Sequence, residues 1–414
     1  MSQNEIRILA PQYMARFTCK GSECEDTCCK FWRIDIDYET YKKYLKITDP
    51  KLKYLVKENV IRYKANSDKN KYAYFKLKDD KHCAFLDEDG LCSIQRKYGG
   101  SFLCRVCQTY PRRHVGVDNT LERSGTVSCP EIARVILFDE HPMEFDEYFE
   151  KTGDRISTEL NVTTSDESIS GRPLLRFLWP IREVCIDIVQ NRSYSISERL
   201  ILLGLFANKL EILKSEGNWD ALRQHINIYG NISKNENNNP ILDKIPSDGF
   251  LQFKMIMEML VLRLRFADIS DSFKNILKEF KDGIGYFDGI TIQQAFSNFV
   301  EIKAEYGNSF DEQFPQVFEN YCVNYIFSKV FPIYPSTNPL ENFIRLAMEY
   351  AIMRMFLIGV GAYHQKYDQA IVQKVFSGIS LTIEHNSHFM DFMVESIKNL
   401  QGDKLAFVTV LVQG

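Results

Sequence analysis

The 414-residue sequence lacks the features of exported and membrane-spanning chains. Its opening residues, MSQNEIRILA, have no basic start, long apolar core or small-residue cleavage site of a secretory signal. The strongest late apolar stretch, AIMRMFLIGVGAYH, contains Arg354 and is too short to cross a bilayer, so it predicts a buried helix. We therefore expect a cytoplasmic protein with no membrane partner.

The chain also lacks a strong excess of either charge. Its formal net charge is -4 and its pI is about 6.1, which provides no global attraction to nucleic acid. With 45% apolar residues, a chain of this length can fold as two or three packed domains without disulfides. In a reducing compartment, clustered thiols are more typical of metal ligands or redox groups.

Cysteine is abundant but unevenly distributed. Cys185 and Cys322 lie in apolar helical contexts, where they are predicted to be small core residues. The other nine cysteines fall within the first 129 residues and are the candidate metal ligands: Cys19, Cys24, Cys28, Cys29, Cys83, Cys92, Cys104, Cys107 and Cys129.

The chain changes character near residue 165. Before it, YAYFKL alternates like a strand, LDEDGLC carries an Asp-Gly turn, and HVGVDNTLERSG predicts a hairpin around Asp118 and Asn119. After it, long helical patterns dominate, including one that opens with a capping box of Ser195 and Glu198. The predicted fold class is mainly α, with a cysteine-rich irregular α+β N-terminal module followed by a larger helical body.

Two polar breaks suggest segment boundaries. A linker is predicted at 161–173 and a mobile loop at 230–249. They divide the chain into a cysteine-rich metal-binding module at 1–160, a first helical segment at 161–229 and a second at 230–414. Residues 170–414 could equally form one helical domain.

The cysteine spacings favour a thiolate site but leave its metal open. Cys24 and Cys28, and Cys104 and Cys107, are close pairs that can converge on one centre. Cys28 and Cys29 are adjacent, so one of them is expected to face a second centre or the core. Cys129 precedes Pro130 and should lie at a helix N-terminus, which favours the ionised thiol.

Several chemistries compete for these thiols. Buried thiols without metal are a poor explanation for nine cysteines so close together. Zinc usually takes two regular CxxC pairs; His82 and His114 are nearby, but that regular pattern is missing. An iron–sulfur cluster tolerates irregular spacing, so zinc and iron–sulfur both remain open.

Two further cofactor signatures are missing. The CxxxCxxC run of radical S-adenosylmethionine enzymes would need a third cysteine at Phe31. GIGYFDG and LIGVGAYH contain glycine pairs, but neither follows a convincing strand with a downstream acidic residue, as a dinucleotide-type site requires. Any cofactor site is therefore expected elsewhere, between the cysteine module and the helices.

Six stretches resemble the flagellin lysine N-methylase family, whose N-terminal part is similar to small zinc- or iron-chelating domains. They are CKGSECEDTCCKFWRIDIDYETY, CAFLDEDGLCSIQRKYGG, CRVCQTYPRR, ERSGTVSCPEIARVIL, WPIREVCIDIVQNRSYSISERLILLGLF and FENYCVNYIFSKVFPIY. The resemblance runs from Cys19 to Tyr334, and the chain beyond about residue 365 adds little to it. It implies methyl transfer from S-adenosylmethionine to lysine side chains of flagellin, in a protein that carries a [4Fe-4S] cluster.

The same stretches supply candidate polar site residues, although none is assigned as a catalytic base. They are Arg105, Tyr110, Arg112, Arg182, Glu183, Asn191, Arg192, Asn320, Tyr321 and Asn324. Each could instead be a helix cap, a salt bridge or a buried hydrogen bond. The alternative function is a non-catalytic metal-binding or redox-sensing protein whose helices hold a partner.

Overall fold

The computed structural model describes residues 5–24, 27–64, 68–151, 158–165, 171–232, 248–266, 269–383, 387–398 and 410–413. Helices dominate, which confirms the mainly α prediction. Six helices precede residue 140: α1 Tyr13–Arg16, α2 Tyr38–Tyr44, α3 Pro50–Asn59, α4 Ser93–Tyr98, α5 Arg105–Thr109 and α6 Pro130–Leu137.

The helical body follows from residue 178. Its helices are α7 Leu178–Gln190, α8 Ile196–Ser215, α9 Trp219–Ile232, α10 Gly249–Phe266, α11 Asp271–Gly283, α12 Ile292–Ile302, α13 Asn308–Gln313, α14 Val317–Ser328, α15 Pro339–His364, α16 Gln369–Ile383 and α17 Ser387–Lys398. The predicted capping box is confirmed at the start of α8, where Ser195 and Glu198 each accept from the other's backbone N–H.

A five-stranded mixed sheet lies beside this body. Its strands are β1 Glu5–Pro11, β5 Arg112–Val117, β6 Thr120–Gly125, β7 Phe145–Lys151 and β8 Leu160–Val162, in the order β7-β1-β6-β5-β8. The β5–β6 hairpin turns at Asp118 and Asn119 as predicted, and Asp118 has a φ of 52°. β1 pairs in parallel with β6, placing Arg7 opposite Thr120.

The smaller core contains most of the cysteine-bearing loops. A second, three-stranded sheet combines β2 Asp35–Ile36, β4 Ala73–Phe75 and β3 Val60–Arg62 in the order β2-β4-β3. Around it, apolar residues between Ile34 and Cys107 pack into a cluster of their own. We call this cluster the smaller core. It lies in the chain between β1 and β5.

The larger core joins the five-stranded sheet to the helical body. Buried side chains from Ile8 to Val412 form one apolar cluster, with α14 and α15 buried along most of their lengths. α11 and α15 approach closely at glycines: a Cβ on Gly283 would lie 1.9 Å from the Gly359 carbonyl oxygen. No helix in the described residues is long and apolar enough to cross a membrane.

The predicted segment boundaries remain predictions. Most of the predicted loop at 230–249 lies outside the described residues, which resume at residue 248 after residue 232. The predicted linker at 161–173 is described at both ends, where β8 and residues 171–173 lie, while residues 166–170 lie outside.

Candidate functional site

Four cysteines from separate segments belong to the smaller core. Cys83 is buried where its loop bridges Leu77, and Cys92 is the N-cap of α4. Cys104, also buried, is the N-cap of α5, and Cys107 lies one turn further along the same helix. We call Cys83, Cys92, Cys104 and Cys107 the inner cluster.

Tyr44 belongs to the same apolar cluster as the four inner cysteines. Its side chain is only 2% exposed and stacks on Phe75 at 6.0 Å between ring centroids. Its hydroxyl has no hydrogen-bond partner in the part of the chain that the structure describes. Burial, together with the charges of the four inner thiols, raises the pKa of Tyr44 well above its usual value. The hydroxyl therefore stays protonated and can donate a hydrogen bond.

The inner thiols also act on one another. Burial raises the pKa of Cys83 to about 12, with smaller contributions from the charges of Cys92 and Cys104. A hydrogen bond with Cys104 is the main cause that raises the pKa of Cys107. Such mutual opposition to ionisation is what a positive metal centre would remove.

The other cysteines form an outer cluster of Cys19, Cys24, Cys28 and Cys129. Cys129 is the N-cap of α6, directly before Pro130 as predicted, and packs against the larger core. Burial raises its pKa to about 11, with contributions from the charges of Cys24 and Cys19. The pKa of Cys28 also responds to Cys129 and Cys19.

Cys29 is the ninth of these cysteines and is adjacent to Cys28 of the outer cluster. A hydrogen bond between their thiols lowers the pKa of Cys29 to about 7 and raises that of Cys28. The Cys29 carbonyl accepts from the Cys83 N–H at 2.7 Å, which ties Cys29 to the inner side. The two thiols therefore contact each other, and the expectation that one of them faces a second centre or the core stays a prediction.

The donor chemistry fits a sulfur-ligated group, but the side chains are not drawn together. No group of three or more His, Cys, Asp or Glu residues within the described ranges has a metal-binding arrangement. Each of the eleven cysteines is a free thiol. Cys185 on α7 and Cys322 on α14 are buried in the larger core, where they were predicted. The role of the other nine as ligands stays a prediction.

A basic cavity of about 380 Å³ opens beside the thiols. The Arg112 guanidinium lies 5.0 Å from the centroid of the Phe17 ring. Burial lowers the pKa of Arg112, and the charges of Cys19 and Cys129 partly oppose this effect. Trp32 donates from Nε1 to the Cys28 carbonyl at 2.7 Å, and its ring lies 5.6 Å from that of Tyr110. The lining residues are Trp32, Arg105, Val106, Thr109, Tyr110, Arg112, Arg113, His114, Thr126, Thr158, Glu159 and Lys329.

A second cavity, of about 270 Å³, adjoins the first; we call it the tyrosine cavity. Both cavities share Arg113, Glu159 and Lys329, and Arg113 pairs with Glu159 at 2.7 Å. The tyrosine cavity runs between β5, β8, α14 and α15, and its lining includes Tyr325, Tyr334, Arg345 and Glu349. Together the cavities connect the cysteine-bearing loops with the helical body, which is where a cofactor site was expected.

Glu349 is the buried carboxylate of the tyrosine cavity. It is 4% exposed and accepts a hydrogen bond from the hydroxyl of Tyr321. Arg345, one turn earlier on α15, pairs with Asp391 at 2.7 Å. A buried carboxylate that is held by a tyrosine and lines a cavity can accept a proton and position an amine.

The predicted polar residues divide between these cavities and structural contacts. Arg105, Tyr110 and Arg112 line the basic cavity, and Tyr321 holds Glu349. The others line neither cavity. Arg182 and Arg192 form ion pairs with buried Glu122 and Glu319, and Glu183 is exposed. The three asparagines form hydrogen bonds: Asn191 with the Ser193 N–H, Asn320 with the Asp139 carbonyl, and Asn324 with Tyr13 and Gly125.

Sequence reasoning missed several lining residues. Arg113 and Tyr325 lie within stretches already singled out, next to residues that were chosen. Glu349 had a signal of its own, because it is a lone acid in the apolar run LAMEYAIM. Lys329 lies in the same stretch as Tyr325, whereas Glu159 had no local signal. Tyr44, which lines neither cavity, had none either.

Comparisons with known proteins place the chain among lysine methylases. The model of the family "FliB lysine N-methylase C-terminal domain" matches residues 182–411, so the match continues well past residue 365, where the resemblance was expected to fade. The Lysine-N-methylase of Salmonella typhimurium (strain LT2) is 24% identical over 98% of this chain and 99% of its own. The corresponding protein of Salmonella choleraesuis is 23% identical over the same shares.

A shorter relative extends the match. Flagellar biosynthetic protein FliU of Salmonella muenchen is 35% identical over 144 residues, covering 34% of this chain and 84% of that protein. No solved structure matches. The expected class of enzyme, a protein-lysine methyltransferase, is confirmed by these matches: the chain belongs to the FliB lysine N-methylase family.

Proposed function

We propose that the chain transfers a methyl group from S-adenosylmethionine to lysine side chains of flagellin in the cytoplasm, and that its N-terminal thiols hold an iron–sulfur cluster. The observation that carries the proposal is the pair of adjoining cavities, one basic and one lined by tyrosines and Glu349. The flagellar name of one relative and the lysine methylase names of two others support a flagellar protein as the substrate.

The basic cavity suits the methyl donor. S-adenosylmethionine carries a carboxylate, and guanidinium groups such as those of Arg105 and Arg112 recognise carboxylates with two parallel hydrogen bonds. Its adenine is a flat aromatic ring, which can pack on Trp32 or Tyr110. The cavity volume lies within the range of ligand pockets.

The tyrosine cavity suits the lysine. Arg113, Lys329 and Arg345 line it, and their positive charges disfavour a second ammonium and so favour the neutral amine that can attack. Tyr325 and Tyr334 offer aromatic walls to the lysine stem and to the sulfonium of the donor. Glu349 is the carboxylate that can take the proton the amine must lose.

The transfer is a single displacement. The nitrogen lone pair forms the N–C bond as the C–S bond breaks, the sulfur keeps that electron pair, and S-adenosylhomocysteine leaves. The new ammonium then gives its proton to Glu349 or to water. The chain aligns donor and acceptor across the boundary formed by Arg113, Glu159 and Lys329, which both cavities share.

The thiols fit an iron–sulfur cluster by donor chemistry, with zinc as the alternative. Nine of the eleven cysteines lie in the first 129 residues, and five of them, Cys29, Cys83, Cys92, Cys104 and Cys107, belong to the smaller core. When bound, such a group would supply negative sulfur ligands and fixed geometry beside the basic cavity. Phe31, in place of a third motif cysteine, speaks against radical cleavage of the donor.

Methylation of purified flagellin by anaerobically purified, metal-replete protein tests the proposal. Mass spectrometry should find methylated lysines and one S-adenosylhomocysteine per methyl group. Glu349→Gln should lower kcat by about 10²-fold, which is the usual effect of removing a general base. Arg113→Gln should mainly raise KM for the methyl donor. The control Glu183→Gln, at an exposed position, should change neither kcat nor KM. Unmodified flagellin lysines, or 5'-deoxyadenosine as a product, would contradict it.

A further inference from the structure

Positive charge is concentrated in one part of the chain. Residues 30–81 contain 15 Lys and Arg against 8 Asp and Glu, whereas the remaining residues contain 36 against 47. The segment that supplies all three strands of the smaller sheet is therefore basic, although the whole chain has a formal net charge of -4. Such an asymmetry is typical of a surface that attracts an acidic partner.

Part of this charge lies over tyrosine rings just before β2. The Arg33 guanidinium lies 5.6 Å from the ring centroid of Tyr63 and 5.1 Å from that of Tyr74, and the two rings are 5.1 Å apart. Arg33 is exposed, and within the described ranges it has no ion-pair partner. An arginine held over aromatic rings in this way can offer its N–H groups to a carboxylate.

Two lysines extend this surface. Lys71 is 69% exposed and lies 3.8 Å from Asp35, which also accepts from the Tyr63 hydroxyl at 2.6 Å. Lys69 is exposed as well, and its carbonyl accepts from the Tyr38 N–H at 2.9 Å. We call Arg33, Tyr63, Lys69, Lys71 and Tyr74 the basic patch.

The basic patch adjoins the basic cavity. Arg105 lines that cavity and donates from Nη1 to Asn70 Oδ1 at 2.6 Å, and Asn70 lies between the two lysines of the patch. Trp32, the neighbour of Arg33 in the chain, lines the same cavity. A partner that covers the patch would therefore lie beside the cavity proposed for the methyl donor.

The chemistry of the patch favours carboxylates over nucleic-acid bases. Bases bind to sheet surfaces by stacking on open aromatic rings, but here Arg33 already lies over both tyrosines of the patch. The same arrangement recurs next to it, where the Arg62 guanidinium lies 4.8 Å from the ring centroid of Tyr72. Guanidinium and ammonium groups bind carboxylates directly.

We propose that the basic patch docks an acidic segment of the protein that is methylated, and that this contact helps to select the lysines presented to the tyrosine cavity. Binding of an acidic segment depends on the patch alone, whereas its identity as part of the methylation substrate rests on the proposed function. The modified lysines should accordingly lie near Asp and Glu residues on the surface of the substrate.

Binding of a fluorescently labelled peptide rich in Glu and Asp to the full-length, resting protein tests the patch. Fluorescence anisotropy should show saturable binding that weakens as the salt concentration rises. A peptide with Gln and Asn in place of the acids should bind about 10-fold more weakly. Replacing Arg33, Lys69 and Lys71 together by Gln should weaken binding of the acidic peptide by about 10-fold as well. Arg33→Lys keeps the charge but loses the planar guanidinium, so its affinity should lie between the two.

The matched control replaces three exposed lysines outside the patch, Lys151, Lys209 and Lys278, by Gln. It removes the same charge from the chain, yet the affinity for the acidic peptide should stay within about twofold of the wild type, because distant charges are screened. With flagellin as substrate, the patch variant should raise KM for flagellin and leave KM for S-adenosylmethionine unchanged. The control should change neither KM.

The docking proposal is wrong if the neutral peptide binds as tightly as the acidic one, or if the patch and control variants weaken binding equally. A single-stranded oligonucleotide that binds more tightly than the peptide, and loses this binding in the patch variant, would assign the patch to nucleic acid instead. Peptide binding with no change in KM for flagellin would overturn the link to the methylation substrate.

Two further measurements keep these outcomes apart. If circular dichroism shows that the triple patch variant is unfolded, Lys71→Glu alone, at a highly exposed position, provides the same test. Anisotropy needs neither methyl donor nor turnover. Unmodified flagellin would therefore contradict the proposed function, while peptide binding would still decide whether the patch docks an acidic segment.

Discussion

The larger and smaller cores hold their buried polar groups in different ways. In the larger core, Glu319 is completely buried yet binds both Arg192 and Arg199 at 2.9 and 2.8 Å. Tyr13 likewise donates to Asn324 at 2.6 Å and accepts from the Gly125 N–H at 2.8 Å. Both regions leave some buried polar atoms without a partner among the described residues, such as Arg263 Nη1 and Ser380 Oγ on the helices and Tyr44 Oη in the smaller core. What sets the smaller core apart is its buried thiols, which oppose one another's ionisation.

The size and make-up of the two cores indicate which of them depends less on a bound group. The larger core has long helices, paired charges and a continuous apolar cluster. The smaller core has short elements and fewer apolar residues, and it places thiols where a larger domain would place aliphatic side chains. Small cores of this kind usually depend on metal or cross-links for stability. We expect metal to stabilise the smaller core far more than the larger one.

Metal removal should have the largest effect, and it should change hydrogen exchange in the smaller core much more than in the larger core. After chelation, hydrogen exchange in residues 34–107 should speed up by on the order of 10²-fold or more, because metal binding is coupled to folding. Amides of α14 and α15 should keep their protection. An equal loss in both cores would show that they do not differ in their dependence on metal.

Glu319→Ala should destabilise the larger core by about 3–5 kcal/mol, because it leaves Arg199 buried and Arg192 without its carboxylate. Urea unfolding followed by far-UV circular dichroism measures the change. Glu312→Ala, at an exposed position on α13, is the control and should stay within about 0.5 kcal/mol of the wild type. The metal content should be the same in all three proteins.

Gly283→Ala should destabilise the contact between α11 and α15 by about 1–3 kcal/mol, since the new Cβ would overlap the Gly359 carbonyl oxygen. Thermal unfolding measures this shift. Gly230→Ala on α9 is the control: its Cβ would meet Val184 at an ordinary 3.5 Å, and it should stabilise by up to about 1 kcal/mol through helix propensity. Similar melting temperatures for both variants would contradict the close helix approach.

His225 should give the smallest effect, as a pH dependence of the larger core. Burial lowers the pKa of His225. As the pH falls below about 6.5, this histidine therefore binds a proton in the unfolded chain before it does so in the folded chain. Stability should therefore decrease as the pH falls through that window, with a slope of at most about 1.4 kcal/mol per pH unit. His225→Gln should flatten this slope in denaturant titrations at pH 5 to 7.5. A slope unchanged by the substitution would assign the dependence to other groups.

The sequence predicted the features that local chemistry determines. The β5–β6 hairpin, the Ser195 capping box, Cys129 before α6 and the burial of Cys185 and Cys322 depend on neighbouring residues, and all of these were found. The resemblance also led to Arg105, Tyr110 and Arg112, which line the basic cavity.

The remaining features depend on contacts between distant residues. β1 and β7 were not predicted as strands, because their partners are set by pairing across more than 100 residues and not by local pattern. Glu159 and Lys329 form part of one cavity wall only after β8 and α14 meet. Tyr44 is one of three tyrosines in YETYKKY, and only burial distinguishes it from Tyr38 and Tyr41.

The parallel pairing of β1 with β6 has a consequence for synthesis on the ribosome. β1 cannot close its sheet until β6 has been made, and every residue of the smaller core emerges in between. Chains grow at about 5–20 residues per second and fold as their segments appear, so the inner thiols are available for several seconds before the sheet forms. Cofactor delivery in that interval would precede closure of the sheet.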